Sequence, residues 1–140
     1  SEFKAAVDNL LQQGATCLVF DLRDNAGENL NAGLVAADYC VPSGEIAKQQ
    51  DKDGNVTVLR MSDENEINVP MVCLVNGATS SSAELFANAL RKMGGATIVG
   101  TKTAGMGVVL MCRASRTALL PILPPACCST TRIRAGTTRV

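Results

Sequence analysis

Between an apolar run ending at Val75 and a helix-forming stretch stands Asn76-Gly77-Ala78-Thr79-Ser80-Ser81-Ser82-Ala83-Glu84, three consecutive serines with a glutamate just beyond. A serine hydroxyl is a poor nucleophile at neutral pH. It needs a base within hydrogen-bond reach, donors for the developing oxyanion, and exposure at a rigid turn. Histidine is absent from the whole chain, which removes the Ser-His-Asp triad, so any hydrolase here uses another base. A lysine serves when burial depresses its pKa. The other use of serines at a helix start is to cap free backbone amides, and Glu84 suits a capping box or a first-turn carboxylate equally well.

Two further segments accompany the elbow. Upstream lies Val19-Phe20-Asp21-Leu22-Arg23-Asp24-Asn25-Ala26-Gly27, and downstream lies Gly100-Thr101-Lys102-Thr103-Ala104-Gly105-Met106-Gly107. In this order the three resemble the catalytic core of the carboxyl-terminal processing, or tail-specific, peptidases. The segments of that family are Asp-Leu-Arg-x-Asn-Pro-Gly-Gly, a Ser-Ala-Ser-Ala-Ser-Glu-like elbow and Lys-Thr-Phe-Gly-Lys-Gly. The resemblance covers residues 2–111, roughly one domain's worth of chain.

The resemblance implies a serine-type endopeptidase with a Ser/Lys dyad and no cofactor, acting on peptides or unstructured protein C-termini. It places the nucleophile at Ser81 and the oxyanion donors at the amides of Ser82 and Gly27, with Glu84 in support. It also places Met106 where the family has its lysine, and Leu110 where it has the glutamine that supports the lysine. A thioether takes no proton at neutral pH, so this reading implies an inactive dyad. The family's proline is Ala26 here and its second glycine is Glu28. Lys102 and Lys92 read as solvated lysines rather than substitute bases, and Asp21 with Arg23 as a structural ion pair. Two other functions stay open: a non-catalytic peptide-binding pseudo-peptidase, and a crotonase-like acyl-thioester enzyme on the same fold.

The chain has 140 residues, enough for one domain core, and its 13 basic and 13 acidic residues balance. No global field therefore draws nucleic acid or an anionic membrane, and no apolar run reaches the roughly 18 residues of a membrane span. Among six cysteines there is neither a CxxC spacing nor a histidine to complete a zinc site, so no metal is expected. Cys17 and Cys73 fall in apolar strand-like runs and are expected to be reduced and buried on neighbouring strands.

The elements that must position the site follow from periodicity. Phe3, Ala6, Val7, Leu10 and Leu11 recur at helical spacing before Gly14. The runs 16–22 and 69–75 read as strands buried on both faces, and Asn29 or Asn31 caps a helix reaching Tyr39. Residues 45–61 form a hairpin around Asp51-Lys52-Asp53-Gly54, expected to project from the core. A helix over 80–93, a short strand over 97–100 and one more over 107–112 complete an α/β class domain with a mainly parallel sheet. The resemblance narrows this to the spiral ClpP/crotonase-like core and implies preceding strands, so the chain reads as truncated at its N-terminus. Open sheet edges in so short a segment imply pairing or segment exchange between two copies, a homo-oligomer.

Residues 1–112 thus form the partial core and 113–140 an atypical tail carrying Pro121, Pro124, Pro125 and a basic Thr-rich end. Proline at that density does not feed a central sheet, and the tail is expected to contribute little to it. The codon sets of Ser115 to Ala118, read two nucleotides later, permit the Ser-Asp-Gly turn that the family carries after this point, so a frameshift would account for the tail.

Overall fold

The computed structural model describes residues 1–51, 53–64 and 67–106, and the backbones of residues 108–112 and 128–134. Helix α1 (Glu2–Gln12) starts at Ser1, whose hydroxyl accepts the Lys4 amide, and buries Val7. Phe3 reaches from α1 to stack on Phe20 at 5.9 Å and to meet Phe86 edge-on at the same centroid distance, while Phe20 and Phe86 lie 5.3 Å apart. One aromatic trio therefore ties α1 to the parallel sheet and to its main covering helix.

That sheet has the order β1-β4-β5, with β1 (Leu18–Asp21), β4 (Met71–Val75) and β5 (Thr97–Gly100) all parallel. Parallel neighbours need crossovers, and the one between β4 and β5 is α3 (Ser82–Lys92). Eight of the eleven residues of α3 are buried, including Leu85, Phe86 and Leu90, which makes it the central helix. Helix α2 (Leu30–Cys40) packs against α3, and it is capped by Asn29, whose side chain accepts the Ala32 amide at 3.0 Å.

Four more strands form an antiparallel sheet of order β3-β2-β7-β6, made of β2 (Gly44–Gln50), β3 (Val56–Ser62), β6 (Val108–Cys112) and β7 (Cys128–Arg134). The β2–β3 hairpin closes as read from the sequence. Asp51 Oδ1 accepts the amides of Asp53 and Asn55, each at 2.9 Å, in the manner of an Asx turn.

Four expectations are corrected. The hairpin does not project from the core: the consecutive residues Ile46 and Ala47 are both buried in it, because β2 packs against α2 and α3 and its register with β3 is irregular around Ala47. The parallel strands are not covered on both faces, since Val19 is 59% and Val99 49% exposed on the side away from α1 and α3. Cys73 is buried in β4, but Cys17 is exposed, because β1 begins only at Leu18 and leaves Cys17 in the bend after α1. Finally, β7 stays out of the parallel sheet yet lies inside the second one, with Lys48 opposite Arg134 and Val109 opposite Thr131. The β-branched run around Thr130, Thr131 and Ile133 suits a strand once the prolines are passed. The rest of 113–140 and the side chain of Leu110 lie outside the described residues.

Candidate active site

The three motif segments meet because they are the loops that leave the carboxyl ends of β1, β4 and β5, the edge at which open parallel sheets commonly carry their sites. Thr79, fully buried, is the joint. Its hydroxyl donates to the Leu22 carbonyl at 2.7 Å and accepts the Asn76 amide at 3.0 Å, while its own carbonyl accepts the Ala104 amide at 3.0 Å. One threonine thus bonds to all three loops. Asn76 adds a second link, donating its side-chain amide to Asp24 at 2.9 Å and accepting the Asp24 amide at 3.1 Å.

The elbow itself lies against the loop that follows β1. Ser80 donates its hydroxyl to the Ala26 carbonyl at 3.0 Å and its amide to the Asn25 carbonyl at 3.0 Å. Gly27 sits at φ +66°, and a Cβ there would fall 2.4 Å from the Ser80 carbonyl oxygen and 2.6 Å from the Ser82 nitrogen. Only a residue without a side chain permits that approach. The Gly27 amide donates to Asn25 Oδ1 at 2.9 Å, so of the two expected oxyanion donors one is engaged within its own loop.

Ser81 is the residue before the first turn of α3 and is partly exposed between the buried Ser80 and Ser82. Its backbone stands at φ +54°, ψ −122°, a conformation that non-glycine residues rarely hold. What holds it is Glu84. Its carboxylate accepts the Ser81 amide at 3.1 Å, the Gly105 amide at 2.7 Å and the Met106 amide at 2.9 Å. The positions expected to carry nucleophile and base are therefore brought onto one carboxylate.

Met106 is 52% exposed beside this clamp, and its thioether offers no proton acceptor there. Lys102 and Lys92 are both exposed. Asp21 and Arg23 form the expected ion pair at 2.6 Å, both roughly half exposed; the guanidinium lowers the Asp21 carboxyl to about 2. The sequence alone assigns no role to Asp24, Asn76 or Ala104, although Asn76-Gly77 is a turn signal that points at one of them. Among the described residues no helix is long and apolar enough to cross a membrane.

The sequence pattern of peptidase family S41 matches residues 1–115. Over 108 residues the chain is 35% identical to the carboxyl-terminal-processing protease of Synechocystis sp., which spans 77% of this chain and 25% of that protein. Over 109 residues it is 31% identical to the carboxy-terminal processing protease CtpA of Bacillus subtilis, with 77% and 23% covered. The chain spans about a quarter of the length of these curated relatives. Its fold superposes on a photosystem II D1 C-terminal processing protease with a TM-score of 0.76 at 27% identity, over 96% of this chain and 35% of that one. With the loops of β1, β4 and β5 assembled as that resemblance requires, and the match running through all three motifs, the chain belongs to peptidase family S41.

Proposed function

We propose that this chain carries the nucleophile elbow of a C-terminal processing serine endopeptidase, with Ser81 as the acylated residue and peptide or unstructured protein C-termini as substrates. The observation that supports this most is the strained Ser81 backbone held by Glu84, which also holds the Met106 amide. A strained turn at the start of a helix exposes a serine hydroxyl and directs the helix N-terminus toward developing negative charge. The Ser82 amide, next along the chain, is the nearer oxyanion donor. The Gly27 amide becomes the second only by leaving Asn25.

The dyad lacks its base. In the family's arrangement a lysine amine takes the serine proton as the oxygen attacks the carbonyl carbon, then returns it to the leaving amine. Residue 106 is the position read for that task, and the support for it is that its backbone and that of Ser81 are tethered to the same Glu84 carboxylate. Methionine cannot perform it, so the chain as written binds peptide without cleaving it. The exposed thioether and the engaged Gly27 amide favour this pseudo-peptidase form. Nothing favours the acyl-thioester alternative.

A fluorophosphonate probe tests the reading, because phosphonylation needs an activated hydroxyl. The chain as written should label slowly, Met106→Lys should raise the rate on the order of 10²-fold or more, and adding Leu110→Gln should raise it further. Labelling should vanish with Ser81→Ala. If the folded double variant labels no faster than the parent, Ser81 and residue 106 are not a dyad.

A further inference from the structure

The oxygen bonded to the Gly27 amide belongs to the chain itself. Asn25 Oδ1 accepts that amide at 2.9 Å, and the Asn25 side chain makes no other hydrogen bond among the described residues. The Asn25 backbone, in contrast, is pinned at both ends: its amide donates to the Leu22 carbonyl at 3.3 Å, and its carbonyl accepts the Ser80 amide at 3.0 Å. Asn25 is exposed and Gly27 half-buried, so the side chain can turn into solvent without leaving a packed position while its main chain stays docked on the elbow. The engaged amide also stands beside that elbow. A Cβ on Gly27 would fall 2.6 Å from the Ser82 nitrogen, which puts the Gly27 and Ser82 nitrogens no more than about 5 Å apart. One oxygen can lie within hydrogen-bond reach of two nitrogens at that separation.

We propose that Asn25 is an internal plug: its side-chain oxygen holds the Gly27 amide in the resting chain, and a ligand oxygen takes that amide only by turning the Asn25 side chain out. This rests on the reading of Gly27 as an oxyanion donor for Ser81, and it adds the control of that donor. The chemistry decides which oxygen displaces the plug. An amide oxygen is a neutral acceptor, and a hydrogen bond to it at an exposed site contributes little on balance. A bond to a charged oxygen is roughly twice as strong. The plug therefore competes on even terms with a neutral carbonyl and yields to an oxyanion. A donor that opens for the charged oxygen and stays closed to the neutral one binds a transition state better than a ground state, which is the difference that accelerates a reaction.

The test is a titration of ¹⁵N-labelled protein with methylphosphonate, followed at the Gly27 backbone amide and the Asn25 side-chain amide. Both signals should move with one midpoint, and the neutral dimethyl ester should bind about tenfold more weakly. Asn25→Ala removes the plug and should tighten methylphosphonate binding by about three- to tenfold. A side chain that merely builds the turn gives the opposite result, because its loss loosens the loop and weakens binding. Asn25→Asp keeps an acceptor for the turn but makes it charged, and should weaken binding by about tenfold or more. If the alanine variant does not fold, the paired shifts in the parent chain decide. A Gly27 shift without one at Asn25, equal binding of the neutral ester, unchanged or weaker binding by the alanine variant, or no saturable shift at Gly27 would each overturn the proposal. Fluorophosphonate labelling is read separately: its absence with the binding order intact counts against Ser81 as the acylated residue and not against the plug.

Discussion

Glu84 and Met106 are joined by a 2.9 Å hydrogen bond from the methionine amide to the carboxylate, and the same oxygen takes the Ser81 amide at 3.1 Å. Side-chain chemistry at position 106 can change while its backbone stays tethered to the elbow, because the tether uses only the main chain. The side chain at position 106 and the geometry of the elbow are thus separable, which makes Met106→Lys a meaningful test of the proposed dyad.

The clamp is itself testable. Glu84 accepts three amides through charge-assisted bonds, and its removal leaves all three without that acceptor. Glu84→Ala should destabilise the chain by about 2–3 kcal/mol and Glu84→Gln by about 1 kcal/mol, read as shifts of the urea midpoint. In the Met106→Lys background both should also slow probe labelling. Equal stability of all three proteins would show that the 105–106 segment is held by something else.

Gly27 gives a sharper contrast. An alanine there meets the Ser80 and Ser82 backbones inside 3.0 Å, whereas at Gly14, also at positive φ, a Cβ meets nothing within 4 Å. Gly14→Ala should therefore cost about 1 kcal/mol, the conformational penalty alone. Gly27→Ala should cost about 3 kcal/mol, since backbone must also move. Thermal unfolding of the two variants side by side separates strain from collision.

Local signals were legible and distant partners were not. Asn29 announced α2, and Asp51 with Gly54 announced the hairpin, because the residues that make a cap or turn lie within a few positions of it. The elbow and its helix were readable for the same reason. Nothing local tells that β2 has α2 and α3 behind it, that β7 slots between β2 and β6, or that Val19 looks outward. Those follow from which elements cover which face. The Glu84 carboxylate reads equally as a cap; its reach to Gly105 and Met106 appears only when the β5 loop folds back.

Thiol chemistry distinguishes the two cysteines once paired by expectation. Burial pushes Cys40 up to about 12 and Cys73 up to about 11, while Cys17 is exposed. In the native protein Cys17 should react with an alkylating reagent, and Cys40 and Cys73 only after unfolding, as located by peptide mapping. A thiol raised in the folded state favours folding while protonated. The stabilisation is complete below the ordinary value of 9.0 and is lost as pH climbs through about 11 and about 12. Stability should accordingly fall above pH 9.0, with the drop reduced by Cys40→Ala relative to its own neutral-pH value.

Ser81 should be a residue the fold would rather replace. Its φ of +54° with ψ of −122° belongs to a region that a side chain makes unfavourable, at a penalty of about 1–3 kcal/mol. Ser81→Ala removes the hydroxyl and keeps the strain; Ser81→Gly removes both. Glycine also carries more freedom in the unfolded chain, which returns roughly 1 kcal/mol to the other side. If the strain is stored as the geometry indicates, the glycine variant is nonetheless more stable than the alanine variant, by about 1 kcal/mol in urea denaturation. Its Glu84 contacts need no side chain at position 81 and survive both changes. An alanine variant as stable as the glycine variant would mean that the turn relaxes in solution, and that the elbow is not held in tension for a reaction at its hydroxyl.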